Sequence, residues 1–155
     1  MSELIERATI TARDADTGTR LLQTSYAGGY QRSELEHIEP YGFTSECFKD
    51  GATDAVIVNL NDNKSHSLVI AVGDYRYRIK NLKDGEVCMY DDKGRKVFLK
   101  REGIEIDGVD DPVEVHTNGN IKVKSGANIS LEADGKIDIK AAGNVNITGA
   151  TINLN

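Results

Sequence analysis

The sequence predicts an all-β chain in two parts, a small closed barrel followed by a needle of short strands that takes three chains to build. Three observations carry this. No stretch beyond the first ten residues holds a 3.6-residue apolar period, short β-branched runs recur between turn-forming clusters, and the last 43 of the 155 residues repeat every eight.

Taken in order, residues 1–10 place Leu4, Ile5 and Ala8 at helical spacing, which predicts a short helical turn within an N-terminal extension, 1–17. From Arg20 onward the runs RLLQTSYAGGY, TDAVIVNL, SHSLVIAV, YRYRIKNL, EVCMY and KVFLK are separated by AGG, NDNK, GD, KDG and DDKG. Five or six such strands in about 80 residues predict an OB-like barrel over 18–90, because closure hides sheet edges. Residues 91–112 read as a connecting hairpin and neck strands ending at Pro112, one of two prolines. All nine aromatic residues lie at or before Phe98, and the tail carries four Lys against four Asp or Glu, so the net charge of −6 belongs to residues 1–112.

The tail, 113–155, is more regular than any barrel. Val113, Ile121, Ile129, Ile137 and Val145 open units of eight, with Val115, Val123, Leu131, Ile139 and Ile147 two residues on. A last pair, Ile152 and Leu154, comes one residue early. Val97 with Leu99 and Ile104 with Ile106 are looser beginnings of the same pattern. Alternation puts these twelve tail residues on one face of strands of about four residues, each followed by a glycine-containing turn. Two aliphatic side chains cannot enclose a core. A meander of such strands leaves a broad apolar face uncovered. A one-chain solenoid needs about three strands per coil and at least three coils, more than 43 residues supply. Three copies wound around one axis bury the twelve residues as a shared core, six side chains per layer, in an intertwined trimeric β-helix or β-prism about 30 Å long.

Composition removes other classes. No apolar run approaches the roughly 20 residues that cross a bilayer, and the first six residues are too acidic for a signal peptide, so synthesis in a cytoplasm is expected. Cys47 and Cys88 stand alone, without metal or redox spacing, and are expected to be buried free thiols. The acidic balance argues against nucleic acid. Tyr75, Arg76, Tyr77 and Arg78 alternate as a single-strand-binding surface would, but with this net charge an amphipathic strand, tyrosines inward, is the expected reading.

The runs LEHIEPYGFTS (35–45), KSHSLVIAVGDYRYRIKNLKDGEV (64–87) and YDDKGRKVFLKREGIEIDG (90–108) resemble the spike protein of Mu-like bacteriophages, the baseplate assembly protein V family. The likeness runs from about 20 to 110, and the family's motif falls here on Pro40, Tyr41, Gly42, Phe43, Ser65 and His66. The resemblance implies a homotrimer at the tip of a contractile-tail baseplate, seated on tail hub proteins and made in the host cytoplasm. Sheath contraction would drive it through the host outer membrane. Type VI secretion spikes and trimeric receptor-binding fibers or adhesins are the alternatives. The family commonly ends in a His-x-His apex around an iron ion; here His37, His66 and His116 are never two apart, so neither metal nor cofactor is expected from this chain. Its ending at Asn155, still in rhythm, leaves a truncated chain, a separate tip protein or a metal-free closure.

Enzymatic readings are weak. His37 lies between Glu36 and Glu39, yet beside Pro40 a structural or exposed histidine is expected; His66 falls at a turn and strand start, and His116 on an outward position. Asp91 and Asp92 form a carboxylate pair, but in a hairpin turn where Asp is favoured for backbone reasons. No catalytic residue is expected.

Overall fold

The computed structural model describes residues 4–13 and 18–153. It divides into two compact units, 1–113 and 114–155.

The first unit opens with five strands: β1 Ile5–Arg13, β2 Arg20–Ser25, β3 Gln31–His37, β4 Asp54–Asn59 and β5 Ser67–Gly73. They close into a barrel in the order β1-β2-β3-β5-β4, with β4 returning to β1. All neighbours are antiparallel except β3 and β5, whose parallel contact is only two pairs long, Glu36 with Leu68 and His37 with Val69. Five strands is the count of an OB-like barrel. Alternation sends Ala8, Ile10, Leu22, Leu35, Ala55, Ile57 and Val69 inward as one core. Ala8 and Ala55 are cross-strand partners. Register shifts in β1, β2 and β4 bend the strands around the barrel. Opposite the shift in β2, Glu34 of β3 takes a positive φ of 58°, the conformation that accommodates an extra residue.

The helical turn expected from Leu4, Ile5 and Ala8 is instead the start of strand β1, residues 1–3 and 14–17 of the expected extension lying outside the described residues, and the barrel runs from Ile5 to Gly73 rather than over 18–90. The reason lies in Glu6, a buried charge at an inward position, which hides the Glu6, Ala8, Ile10 alternation from an apolar reading. RLLQTSYAGGY is not one strand: the Tyr26 amide donates to Tyr30 O at 2.8 Å, and Gly28 and Gly29 at positive φ turn the chain into the polar strand β3. YRYRIKNL, 75–82, is irregular, because Asp74 accepts from the Arg76 amide and side chain and turns the backbone out of the ladder.

A separate three-stranded antiparallel sheet follows: β6 Val87–Tyr90, β7 Lys96–Lys100 and β8 Gly103–Asp107, in that order. The expected runs EVCMY and KVFLK are its first two strands, so EVCMY lies outside the barrel.

In the second unit the described residues carry no regular secondary structure between bends at 118–119, 126–127, 134–135, 142–143 and 150. Most bends recur every eight residues, at or beside Gly119, Gly126, Gly135, Gly143 and Gly149, where the repeat placed turns. Among the described residues of this unit no strand ladder forms within the chain.

Candidate assembly surfaces

The barrel is held by one buried polar cluster. Arg32 and Glu6 keep only 9% and 5% of their side-chain surface and pair at 3.0 Å, while Lys64 reaches the other Glu6 oxygen at 2.6 Å. Arg32 also donates to Tyr26 Oη at 3.1 Å, to Asn59 Oδ1 at 3.4 Å, to the Ser67 hydroxyl and to the Lys64 carbonyl. Burial alone would raise the Glu6 carboxyl, but Lys64 and the Asn59 hydrogen bond outweigh it and hold the group below its usual value. The cluster joins β1, β3, β4 and β5, and its members satisfy one another. It reads as structural.

After β3 the chain forms a loop that displays two exposed aromatic side chains. Glu39 anchors it: Oε2 pairs with Arg20 at 2.9 Å and accepts from the Thr44 hydroxyl at 3.0 Å, while Oε1 accepts from the Ser45 amide at 2.8 Å. These donors outweigh burial and keep the Glu39 carboxyl below its normal range. Within this frame the Phe43 amide donates to Pro40 O at 3.0 Å, Gly42 supplies a φ of +86°, and Tyr41 and Phe43 project into solvent, Tyr41 completely. Ser65 and His66 belong to a different turn, between β4 and β5. There Asn63 accepts from both backbone amides, and His66 O accepts from the Leu60 amide.

A third cluster occupies the irregular segment after β5. Arg76 pairs with Asp50 at 2.6 Å and with Asp74 at 2.5 Å, and its guanidinium lies 5.5 and 5.2 Å from the ring centres of Phe48 and Tyr77, which stack on each other. The Arg76 hydrogen bonds hold Asp74 at a pKa of about 2. Arg76 is thus committed to two carboxylates and two rings, leaving little of it for a phosphate. Beside it Cys47, Phe48, Val72, Tyr77 and Tyr90 help line an open cleft of about 480 Å³. Cys47 packs against the core and burial raises its thiol, while Cys88 is half-buried; both are free.

The histidines scatter. His37 is buried at the end of β3, its Nδ1 has no hydrogen-bond partner, and burial pushes its pKa down. His66 is exposed in its turn, and His116 is exposed beside Glu114 at 3.3 Å. Among the described residues no three His, Cys, Asp or Glu side chains gather as a metal site.

The most extensive apolar surface is in the tail. Val113, Val115, Ile121, Val123, Ile129, Leu131, Ile137, Ile139, Val145, Ile147 and Ile152 are between 48 and 74% exposed. Leu154 lies outside the described residues. Aliphatic side chains open to water in such number are unfavourable in a lone chain. Sequence reasoning found this stripe but missed Glu6 and Arg32, whose only signal was charge inside strand-forming segments; it met Glu39 only as a neighbour of His37 and Arg76 only as part of an alternating strand.

Residues 7–76 match the family model described as Bacteriophage Mu Gp45, N-terminal, a span reaching from β1 to Arg76. No curated protein matches the chain.

Proposed function

We propose, from the premise that residues 7–76 belong to the Bacteriophage Mu Gp45, N-terminal family, that this chain is the central spike of a contractile-tail baseplate. In this reading three copies form the particle's tip, their OB-like barrels seated on the tail hub and their repeats wound into one needle. Sheath contraction pushes the needle through the host outer membrane. The work is mechanical: the chain transmits force and makes or breaks no covalent bond.

One observation carries the reading, the eight-residue stripe of exposed aliphatics on backbone that forms no ladder of its own. Copies of the same chain supply what is missing on both counts, since each unit offers the others an apolar face and a free strand edge. A needle knit from three chains has no edge to peel.

Sedimentation velocity on the full chain tests the assembly, with a trimer expected at micromolar concentration and a stable monomer refuting it. Gold-labelled protein in intact particles tests the position. A single label on the tail axis is expected; several peripheral labels would identify a fiber instead.

A further inference from the structure

The sheet β6–β8 lies outside the family match and is not part of the repeats, yet it is sharply two-faced. Its register aligns Val87, Leu99 and Ile104 in one cross-strand row and Met89, Val97 and Ile106 in the next, all six on one face. Five of the six are 44 to 74% exposed. The opposite face carries Lys96, Lys100, Glu105 and Asp107, closed into ion pairs such as Lys96 with Asp107 at 2.6 Å, around the Phe98 ring. The charged face is thus suited to water and the aliphatic face is without cover.

The repeats by themselves leave their alignment open. Units 121–128, 129–136 and 137–144 share the pattern apolar, polar, apolar, polar, turn, so sliding one chain by eight residues exchanges Ile121 for Ile129 and Val123 for Leu131. Nearly every apolar contact survives the slip. The sheet offers no such equivalent position, because its two rows differ in shape and occur once.

We propose that the aliphatic face of β6–β8 is the seam at which three copies of this chain meet, and that it sets the register of the repeats. The proposal rests on the trimeric reading above. It commits to copies of the chain as occupant because the same apolar, polar alternation continues from Val97 and Ile104 into Val113. The face offers on the order of 500 Å² of aliphatic surface per chain, a large part of the ~800 Å² each partner gives to a standard interface. The turn that follows the seam within the first unit is closely bonded. The Asp111 amide donates to Gly108 O at 2.9 Å, the Val109 amide donates to Asp107 Oδ1 at 2.8 Å, and Arg95 holds Asp111 at 3.3 Å. A Cβ on Gly108 would stand 2.4 Å from Asp111 O and 3.0 Å from a Val113 methyl, so this turn requires glycine there.

The test uses full-length protein with Cys47→Ser and Cys88→Ser, spin-labelled at Ser130→Cys on the outward side of a repeat. The parent trimer is expected to give one inter-label distance. Leu99→Ser with Ile104→Ser is expected to split it into several populations, or to leave folded monomers with the barrel's circular dichroism intact. The control Lys100→Ser with Glu105→Ser, on the other face, is expected to keep one distance. A single unchanged distance in the seam variant overturns the proposal, as does a control that scatters equally. An Ile104→Cys thiol that reacts in the trimer as fast as in the unfolded chain overturns it too and points to another occupant. A monomeric parent refutes the needle reading itself, an outcome distinct from a trimer indifferent to its seam.

Discussion

Replacing Ile137 by Asp puts three carboxylates into one layer of the needle core. In the lone chain Ile137 is 53% exposed, so roughly 100 Å² per copy is left for the trimer to bury, about 2.5 kcal/mol per chain at ~25 cal/mol/Å². Three chains lose about 7 kcal/mol of burial. Desolvating three like-charged carboxylates within one layer adds several kcal/mol each unless they take up protons. The sum, upwards of about 10 kcal/mol, equals the whole stability of many folded domains. The expected result is loss of trimer in sedimentation velocity and loss of resistance to detergent on unheated gels, with the barrel's circular dichroism preserved. Lys122→Ser, on an outward position, is expected to change either measurement negligibly. A folded Ile137→Asp trimer with unchanged melting refutes the shared apolar core.

Arg32→Met leaves Glu6 buried with the half-exposed Lys64 as its remaining ion-pair partner and is expected to cost about 3 kcal/mol in urea unfolding; Glu6→Gln added to it should recover part, and an additive or larger loss would refute the pairing. Glu39→Ala is expected to speed amide hydrogen exchange at Phe43 to Ser45 while the barrel core stays protected; unchanged exchange would remove Glu39 as the loop's anchor. Acid should act in two stages. Burial lowers the His37 pKa, so the unfolded chain takes up its proton first, and stability present above about pH 6.5 falls as pH drops through the folded value. Asp74, held at about 2, adds stability present above about pH 4 and lost towards pH 2. His37→Gln should flatten the first stage and Arg76→Ala shrink the second; a melting temperature insensitive to either change contradicts these assignments.

The strands legible in the sequence were those whose inward positions are aliphatic. TDAVIVNL and SHSLVIAV announce β4 and β5 because Ala55, Ile57 and Val69 alternate cleanly. β1 and β3 were missed because Glu6 and Arg32 each place a charge in the cluster between them, and a buried charge carries no sign of burial until its partner is known. YRYRIKNL misled in the opposite direction. Its alternation is real, but Arg76 folds back on Asp74 and Asp50 rather than standing on a sheet. The tail was legible in its period and its bends, since both depend on residues close in the chain. The two faces of β6–β8 were only half legible: Val97, Leu99, Ile104 and Ile106 showed as a pattern, whereas Val87 and Met89 joined them only through the register.

The brevity of the parallel contact between β3 and β5 has a kinetic consequence. The hairpins β1–β2, β2–β3 and β4–β5 join residues near in sequence and the long-range β1–β4 pairing gains five pairs, whereas the β3–β5 contact brings residue 36 to residue 68, across the segment that holds β4, for two pairs of backbone partners. Loop entropy is spent there for the smallest return, so this seam is expected to zip last and part first. A truncation such as Val69→Ala should therefore accelerate unfolding while leaving refolding nearly unchanged, which makes the seam the gate on the barrel's lifetime.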